Sequence, residues 1–332
     1  MSCPAETDKL DTGPLGRLAL SRSGVDRATQ RRGDNAWVEA AWADRGTRVV
    51  VVHGSSALVS SDGGHLGLVF VPSAAAPEGT RFLLGVDDDE IAYFGVAPRG
   101  ETGRTGEGEA RDRSEENDAR LMPLRQVGAM LSDRDAGLLT HAVALANWHQ
   151  THTHCPQCGT PTVPAPAGHL ATCPVDGTDH FPRLDPAVIM LVTDPDDRCL
   201  LARNALWPRG RMSVLAGFVE PGESAELAVA REVKEETAIV VGQVGYLGSQ
   251  PWPMPRSLML GFKAVAAAGQ SIVVDEDEIG EARWFTRAEM RAAIEAGELG
   301  LAPTSSIARR LIEYWYGAEL PDGRPGWLAP AR

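Results

Sequence analysis

Between Gly217 and Ile239 the chain reads Gly-Phe-Val-Glu-Pro-Gly-Glu223-Ser-Ala-Glu-Leu-Ala-Val-Ala-Arg231-Glu232-Val-Lys-Glu235-Glu236-Thr-Ala-Ile. Gly217, Pro221 and Gly222 spell a loop, and Ser224 is a suitable N-cap for a helix that follows. At about 100° per residue, Glu232, Glu235 and Glu236 share one face of that helix, while Leu227, Ala230, Val233 and Thr237 share the other. One face is for chemistry and the other for packing. Three carboxylates held so close repel one another and raise one another's pKa unless cations occupy the space between them. Hard oxygen donors of this kind select Mg²⁺ or Mn²⁺, which in turn bridge phosphate oxygens. Arg231, four residues before Glu235, can hold that carboxylate in position.

A second cluster has different chemistry. Cys155-x-x-Cys158 and Cys173 are three of the four ligands a tetrahedral structural zinc needs. In a reducing compartment such grouped thiols suggest metal rather than disulfides. His180 is the expected fourth ligand, a nitrogen one short loop away. Asp176 offers an oxygen instead, and His152, His154 or His169 could also approach. A third segment, Ser249-Gln-Pro-Trp-Pro-Met-Pro-Arg-Ser257, has three prolines that hold an extended backbone around Trp252. A rigid loop presenting an indole suits stacking on a nucleobase, and on physics alone a Pro-rich turn with a packed Trp suits it equally.

These segments must be positioned by a scaffold, and 332 residues suffice for two domains and a small module. The formal charge of −13 argues against affinity for long nucleic acid through many phosphate contacts, so no extended nucleic-acid surface is expected. Neither a signal peptide's apolar core nor a run of about 18 apolar residues is visible, so the expectation is a cytoplasmic protein without a membrane anchor. Residues 1–34 read as irregular or partly mobile. A β-rich domain is expected over 35–150, with short strands from Trp37 to Val96, a disordered insertion over 99–120 that is charged and Gly-rich, and a helix near 133–150 capped by Ser132. The zinc-ribbon-like module spans 151–183 and an α/β domain 184–320, before a tail over 321–332. Within the α/β domain, Pro186–Val192 reads as a buried strand and Cys199–Arg203 as its return. Thr286 caps a helix ended by Gly297, and a last helix runs from Ser306 to Tyr316 and stops at Gly317.

The array at Gly217, Glu223, Arg231, Glu232, Val233, Glu235, Glu236 and Ile239 resembles the Nudix box, with Ala238 where that family has Gly. The 249–257 segment closely resembles the signature of NADH pyrophosphatases within it, with Met254 in place of Phe. The resemblance implies an α/β/α Nudix sandwich with a mixed sheet, preceded by the small β-rich domain and the zinc ribbon, and a homodimer. It implies hydrolysis of NAD(H) to nicotinamide mononucleotide and AMP, and removal of an NAD cap from the 5′ end of RNA. Glu232 and Glu236 would be principal Mg²⁺ or Mn²⁺ ligands, Glu235 a further ligand or the base, and Glu278 a third ligand, with Asp275, Glu276 and Asp277 close enough to compete for that match. Phe181 and Phe218 would flank the nicotinamide, and Ala216 and Ala308 would line the nucleotide site. Ser249, Gln250, Pro251, Trp252, Pro253, Met254, Pro255, Arg256 and Ser257 would bind substrate. In the zinc ribbon the family's usual fourth ligand is a cysteine three residues after the third, where this chain has Asp176. A hydrolase of broader taste, acting on ADP-ribose or dinucleoside polyphosphates, and a non-catalytic nucleotide sensor are the alternatives; a sensor typically lacks part of the glutamate array.

Overall fold

A computed structural model of the chain describes residues 13–99 and 119–321. Residues 100–118 of the expected insertion and nearly all of the C-terminal tail lie outside the described residues, while at the insertion's end Ala119 is buried and Arg120 already belongs to a strand. The chain divides into two compact units, Arg22–Leu184 with Pro251–Ser257, and Asp185–Gln250 with Leu258–Arg332 and Met1–Ser21.

In the first unit a bridge of Asp26 to Val86 and a 3-10 turn at Thr29–Arg31 precede a helix that no sequence pattern announced, α1 (Asn35–Ala43), whose N-cap Asp34 accepts the Trp37 N–H. Strands β1 (Arg48–His53), β2 (Ser56–Asp62), β3 (His65–Leu68), β4 (Val71–Pro72), β5 (Gly79–Val86), β6 (Ala92–Pro98) and β7 (Arg120–Pro123) form one sheet, in the order β3-β2-β1-β6-β5 with β4 on β1 and β7 on β2. It is mixed, because β1 and β6 run parallel while the other pairs are antiparallel. A short turn of helix, α2 (Leu124–Val127), leads to α3 (Asp133–Thr151), which packs on β1, β5 and β6. Ser132 caps α3 as expected. Alternation along β5 separates the two faces: Leu83 joins the cluster that α1 covers, while Phe82 stacks with His149 of α3. Strands β8 (Val163–Pro164), β9 (Ala171–Thr172) and β10 (Asp179–His180) make a small antiparallel sheet after α3.

The second unit is a three-layer sandwich. Its sheet contains β11 (Asp185–Thr193), β12 (Cys199–Asn204), β13 (Leu215–Phe218), β14 (Val241–Trp252), β15 (Ser257–Ala266) and β16 (Ile279–Phe285), in the order β14-β15-β11-β12-β16 with β13 on β11. Alternate residues of β11 feed two cores. Val188, Met190 and Val192 face the helix α4 (Ala225–Thr237), whereas Ile189 and Leu191 face α5 (Arg287–Glu295) and α6 (Ile307–Tyr316). Thr286 and Glu289 form a capping box on α5, and α6 ends on Gly317 in the left-handed conformation. The expectation of an irregular N-terminus needs correction at residues 13–21. They form no helix or strand, yet Leu15 and Leu18 are buried in the α5/α6 core and the Leu20 N–H reaches Gln250. Burial of apolar side chains, not secondary structure, orders that segment.

Candidate functional site

Helix α4 starts where expected, with the Ser224 side chain accepting the Leu227 N–H at 3.3 Å. Its packing face differs from expectation. Ala228, Val229, Val233 and Thr237 are buried, whereas Leu227 is 63% exposed and Ala230 half-buried, so the buried stripe is turned slightly from the expected one. That rotation places Glu232 and Glu236 at the border between core and solvent, half-buried and buried respectively.

Arg231 organises the carboxylates. Its Nε and Nη2 donate to the two Glu223 oxygens at 2.9 and 2.8 Å, and its Nη1 donates to Glu232 at 2.8 Å and to Glu235 at 3.0 Å. Nη2 also reaches the Phe218 carbonyl at 2.9 Å, tying the helix to β13. The expected hold on Glu235 is therefore one of five bonds. The Glu223 carboxyl is pulled below its usual range by that guanidinium. Gly217 lets β13 approach, since a methyl group there would overlap the Glu232 carboxylate.

Glu236 has no such partner. Burial pushes its pKa up to about 8, with Glu232, Glu278 and Glu235 adding to the effect, and its Oε2 is buried without a hydrogen bond. Burial also raises Glu232, against the pull of Arg231. A buried carboxylate oxygen with no donor, beside three further carboxylates, suits a hard divalent cation. Of the acidic run at 275–278, Glu278 alone is among the charges acting on both Glu232 and Glu236, which separates it from Asp275, Glu276 and Asp277. A cleft of about 560 Å³ between Thr193, Lys263, Arg287 and Tyr314 lies toward α5 and α6, and no α4 residue lines it.

The expected substrate residues divide. Phe218 is 59% exposed next to Gly217, and Ala216 is exposed on the same strand. Phe181, in the other unit, is 67% exposed. Ala308 does not present a surface; it is buried among the α5/α6 core side chains. Gln250 is fully buried, with Oε1 accepting from the Leu20 N–H at 3.3 Å and Nε2 donating to the Ser305 carbonyl at 3.0 Å, so its amide braces the backbone rather than facing ligand. Ser249 accepts from the Ser21 hydroxyl through its carbonyl. Pro251, Trp252, Met254, Arg256 and Ser257 are partly exposed, Pro255 is exposed, and Pro253 is buried. The Asn147 amide donates to the carbonyls of Pro253 and Pro255 at 2.6 and 3.2 Å, and the Met254–Pro255 bond is cis.

In the cysteine module, one ligand atom each from Cys155, Cys158, Cys173 and Asp176 lies within 4.8 Å of all the others. His180 is not in that group. The reason is a pair of matching turns. Gly159 N–H donates to the Cys155 carbonyl and Cys155 N–H to Thr160, while Gly177 N–H donates to the Cys173 carbonyl and Cys173 N–H to Thr178. Asp176 thus stands in the second turn where Cys158 stands in the first. His180 is already on β10, paired with Ala171, and its Nε2 is buried without a partner. His152, His154 and His169 are outside the group too. Three thiols and a carboxylate at these separations fit a structural zinc.

Comparison with known proteins gives three family matches: the NUDIX domain at residues 183–304, the NADH pyrophosphatase-like rudimentary NUDIX domain at 46–148, and the NADH pyrophosphatase zinc ribbon domain at 150–181. The NAD-capped RNA hydrolase NudC of Mycobacterium bovis is 40% identical over 320 residues, covering 90% of this chain and 95% of that one. The protein of the same name from Mycobacterium tuberculosis is 39% identical over the same span. The human NAD-capped RNA hydrolase NUDT12 is 33% identical over 337 residues, covering 89% of this chain and 72% of that one.

Proposed function

The chain belongs to the Nudix hydrolases of the NADH pyrophosphatase and NAD-capped RNA hydrolase family, and on that premise we propose that it cleaves the diphosphate of NAD(H) to nicotinamide mononucleotide and AMP, and removes the NAD cap from the 5′ end of RNA. The observation that carries the catalytic part is the buried, unpartnered Glu236 Oε2 among Glu232, Glu235 and Glu278. A non-catalytic sensor has no use for so costly an arrangement.

In this reading Glu232, Glu236 and Glu278 would hold Mg²⁺ or Mn²⁺, and Arg231 keeps Glu223, Glu232 and Glu235 in place. When bound, the cation supplies charge neutralisation of the diphosphate and Lewis acidity toward the attacking water. Glu235, whose side chain is 59% exposed, takes the proton of that water. The water oxygen joins one phosphorus, the bridging P–O bond breaks, and two monophosphates leave. The exposed Phe218 ring supplies a stacking face for a base and Ala216 borders the nucleotide, while Phe181 and Trp252 are the further aromatic rings that the family resemblance assigns to substrate. Cys155, Cys158, Cys173 and Asp176 would hold a zinc that ties the two knuckles together. We further propose that the protein acts as a homodimer in the cytoplasm, as the family resemblance implies. Among the described residues no helix is long and apolar enough to cross a membrane.

The test is turnover of NADH, NAD⁺, NAD-capped RNA and ADP-ribose by the purified protein in Mg²⁺ and in Mn²⁺. Nicotinamide mononucleotide and 5′-monophosphate RNA are the expected products. Equal rates on ADP-ribose and NADH would replace this reading with a broad diphosphatase, and sedimentation that gives only monomers would remove the dimer.

A further inference from the structure

The stretch Cys199–Met212 holds Arg203, Arg209 and Arg211 and no acidic residue, in a chain whose net charge is −13. Its outer part, residues 205–211, is tied down at both ends. The Ala205 N–H donates to the Glu278 carbonyl at 2.8 Å, and the Gly210 carbonyl accepts from Gly300 at 2.7 Å. The first tie sets the loop beside the acidic residue whose charge bears on Glu232 and Glu236. Arg203 donates to the Trp207 carbonyl at 3.1 Å, and the Arg211 guanidinium lies 4.7 Å from the centre of the Trp207 ring. Between these anchors Leu206 is 90% exposed, more than any other large apolar side chain among the described residues. Arg209 is exposed and has no hydrogen-bond or ion-pair partner among the described residues.

Folding explains the anchors but not the tip, because an exposed leucine and an unpaired guanidinium contribute little to stability. Cleavage of a free dinucleotide does not need the tip either, since the carboxylates already address the diphosphate. Capped RNA differs from NAD(H) in one respect: a phosphodiester on the adenosine 3′ oxygen and the nucleotides that follow it. In so acidic a protein a polyanion is repelled at long range, and a local cation beside the reacting diphosphate decides whether the chain can follow the cap in.

We infer that loop 205–211 is the contact for the first nucleotides after the cap, with Arg209 meeting their phosphodiester and Leu206 and Trp207 giving the next base an apolar face. This rests on the capped-RNA reading above. Such contacts position a strand without reading its sequence, so the subsite takes any RNA and adds nothing for free NAD(H).

The test compares kcat/KM for NADH and for a short NAD-capped RNA, as a function of salt, in the wild type and in Arg209→Ala and Leu206→Asp. Both positions are exposed, so both variants should fold. The expected result is a loss of roughly five- to tenfold on capped RNA in each variant with NADH unchanged, and a slope of log(kcat/KM) against log salt shallower by about 0.7 in Arg209→Ala. Capped RNA cleaved equally well by wild type and both variants would overturn the inference and leave the decapping reading standing. Parallel losses on NADH and capped RNA would also overturn it. NADH turnover without any cleavage of capped RNA by the wild type would overturn the decapping reading itself, and the inference with it.

Discussion

Helix α3 on the N-terminal sheet and helix α4 on the C-terminal one both begin at a serine N-cap and both carry titratable side chains into buried surroundings. They treat those side chains differently. On α3, Asp135 is buried and accepts the Leu68 N–H at 3.0 Å and Arg134 Nε at 2.9 Å, and His149 meets the Gly168 carbonyl at 2.7 Å. His141 is bonded to the Leu84 backbone and kept uncharged chiefly by burial. On α4 the buried Glu236 oxygen meets nothing. A helix whose buried polar groups are answered by its own unit is a structural element, whereas one that leaves a carboxylate unanswered is stabilised only by something it binds. The rudimentary domain and the catalytic domain differ less in architecture than in this accounting.

The largest expected effect breaks the comparison on the α4 side. Glu236→Gln should lower kcat by about a thousandfold or more, because it removes charge needed for the cation and the transition state. Its thermal midpoint without metal should hold or rise, since a desolvated acid has been neutralised. Asp135→Asn should do the opposite, costing roughly 1–3 kcal/mol of stability while the folded fraction keeps its kcat. Near-normal turnover of Glu236→Gln in saturating Mg²⁺ or Mn²⁺ would sink the assignment.

The next effect is on the α3 side. His169, which meets the Leu83 carbonyl at 2.7 Å and packs 5.1 Å from the His141 ring, has its pKa lowered to about 4 by burial, with Arg32, Arg27 and His149 opposing its charge. A depressed folded-state pKa means that the unfolded chain takes up the proton first. The stability this histidine contributes is therefore complete above about pH 6.5 and is lost as pH falls toward 4, to the extent of about 3 kcal/mol. Urea midpoints measured from pH 7 to pH 4 should fall less steeply in His169→Gln than in the wild type; parallel profiles would show that the ring is already protonated in the fold.

What the sequence made legible follows from how local each feature is. The carboxylate face of α4, the Ser224, Ser132 and Thr286 caps and the strands Asp185–Thr193 and Cys199–Asn204 depend on spacing along one segment, and they lie where that spacing puts them. The burial of Leu15 and Leu18, the brace made by Gln250 and the core position of Ala308 depend on contacts between residues far apart in sequence, and no pattern near them announces it. Helix α1 went unread because Trp37 and Trp42 suit a strand as well as a helix, and here they pack against the sheet from a helix. The zinc ligand is an intermediate case. The Gly159 and Gly177 turns are local, and comparing Cys155–Gly159 with Cys173–Gly177 residue by residue would have singled out Asp176 over His180. Zinc affinity measured by competition with a chelator should accordingly be unchanged in His180→Ala, fall by at least about ten- to hundredfold in Asp176→Ala, and rise in Asp176→Cys. Full loss in His180→Ala would restore the histidine.

The smallest effect concerns how the α4 and α6 helices stop. Ala238 ends α4 at φ 57°, ψ 12°, with its N–H bonded to the Lys234 carbonyl at 2.8 Å, and Gly317 ends α6 at φ 86°, ψ 7° with the equivalent bond to Glu313. The two exits share a left-handed residue, yet only one has the residue type that takes that conformation without steric cost. Ala238 is exposed, so its methyl group contributes no burial to offset the strain. Ala238→Gly should therefore stabilise the protein by roughly 0.5–1 kcal/mol, the relief of strain exceeding the extra freedom of the unfolded chain, and should raise the midpoint by about 1–4 °C. Gly317→Ala should cost a similar amount. Because Glu236 lies on the preceding turn and keeps its backbone, kcat should not move in Ala238→Gly. A drop in kcat without a drop in stability would mean that the strained exit helps to hold the Glu236 carboxylate where it works, and the contrast between the two exits would become functional rather than structural.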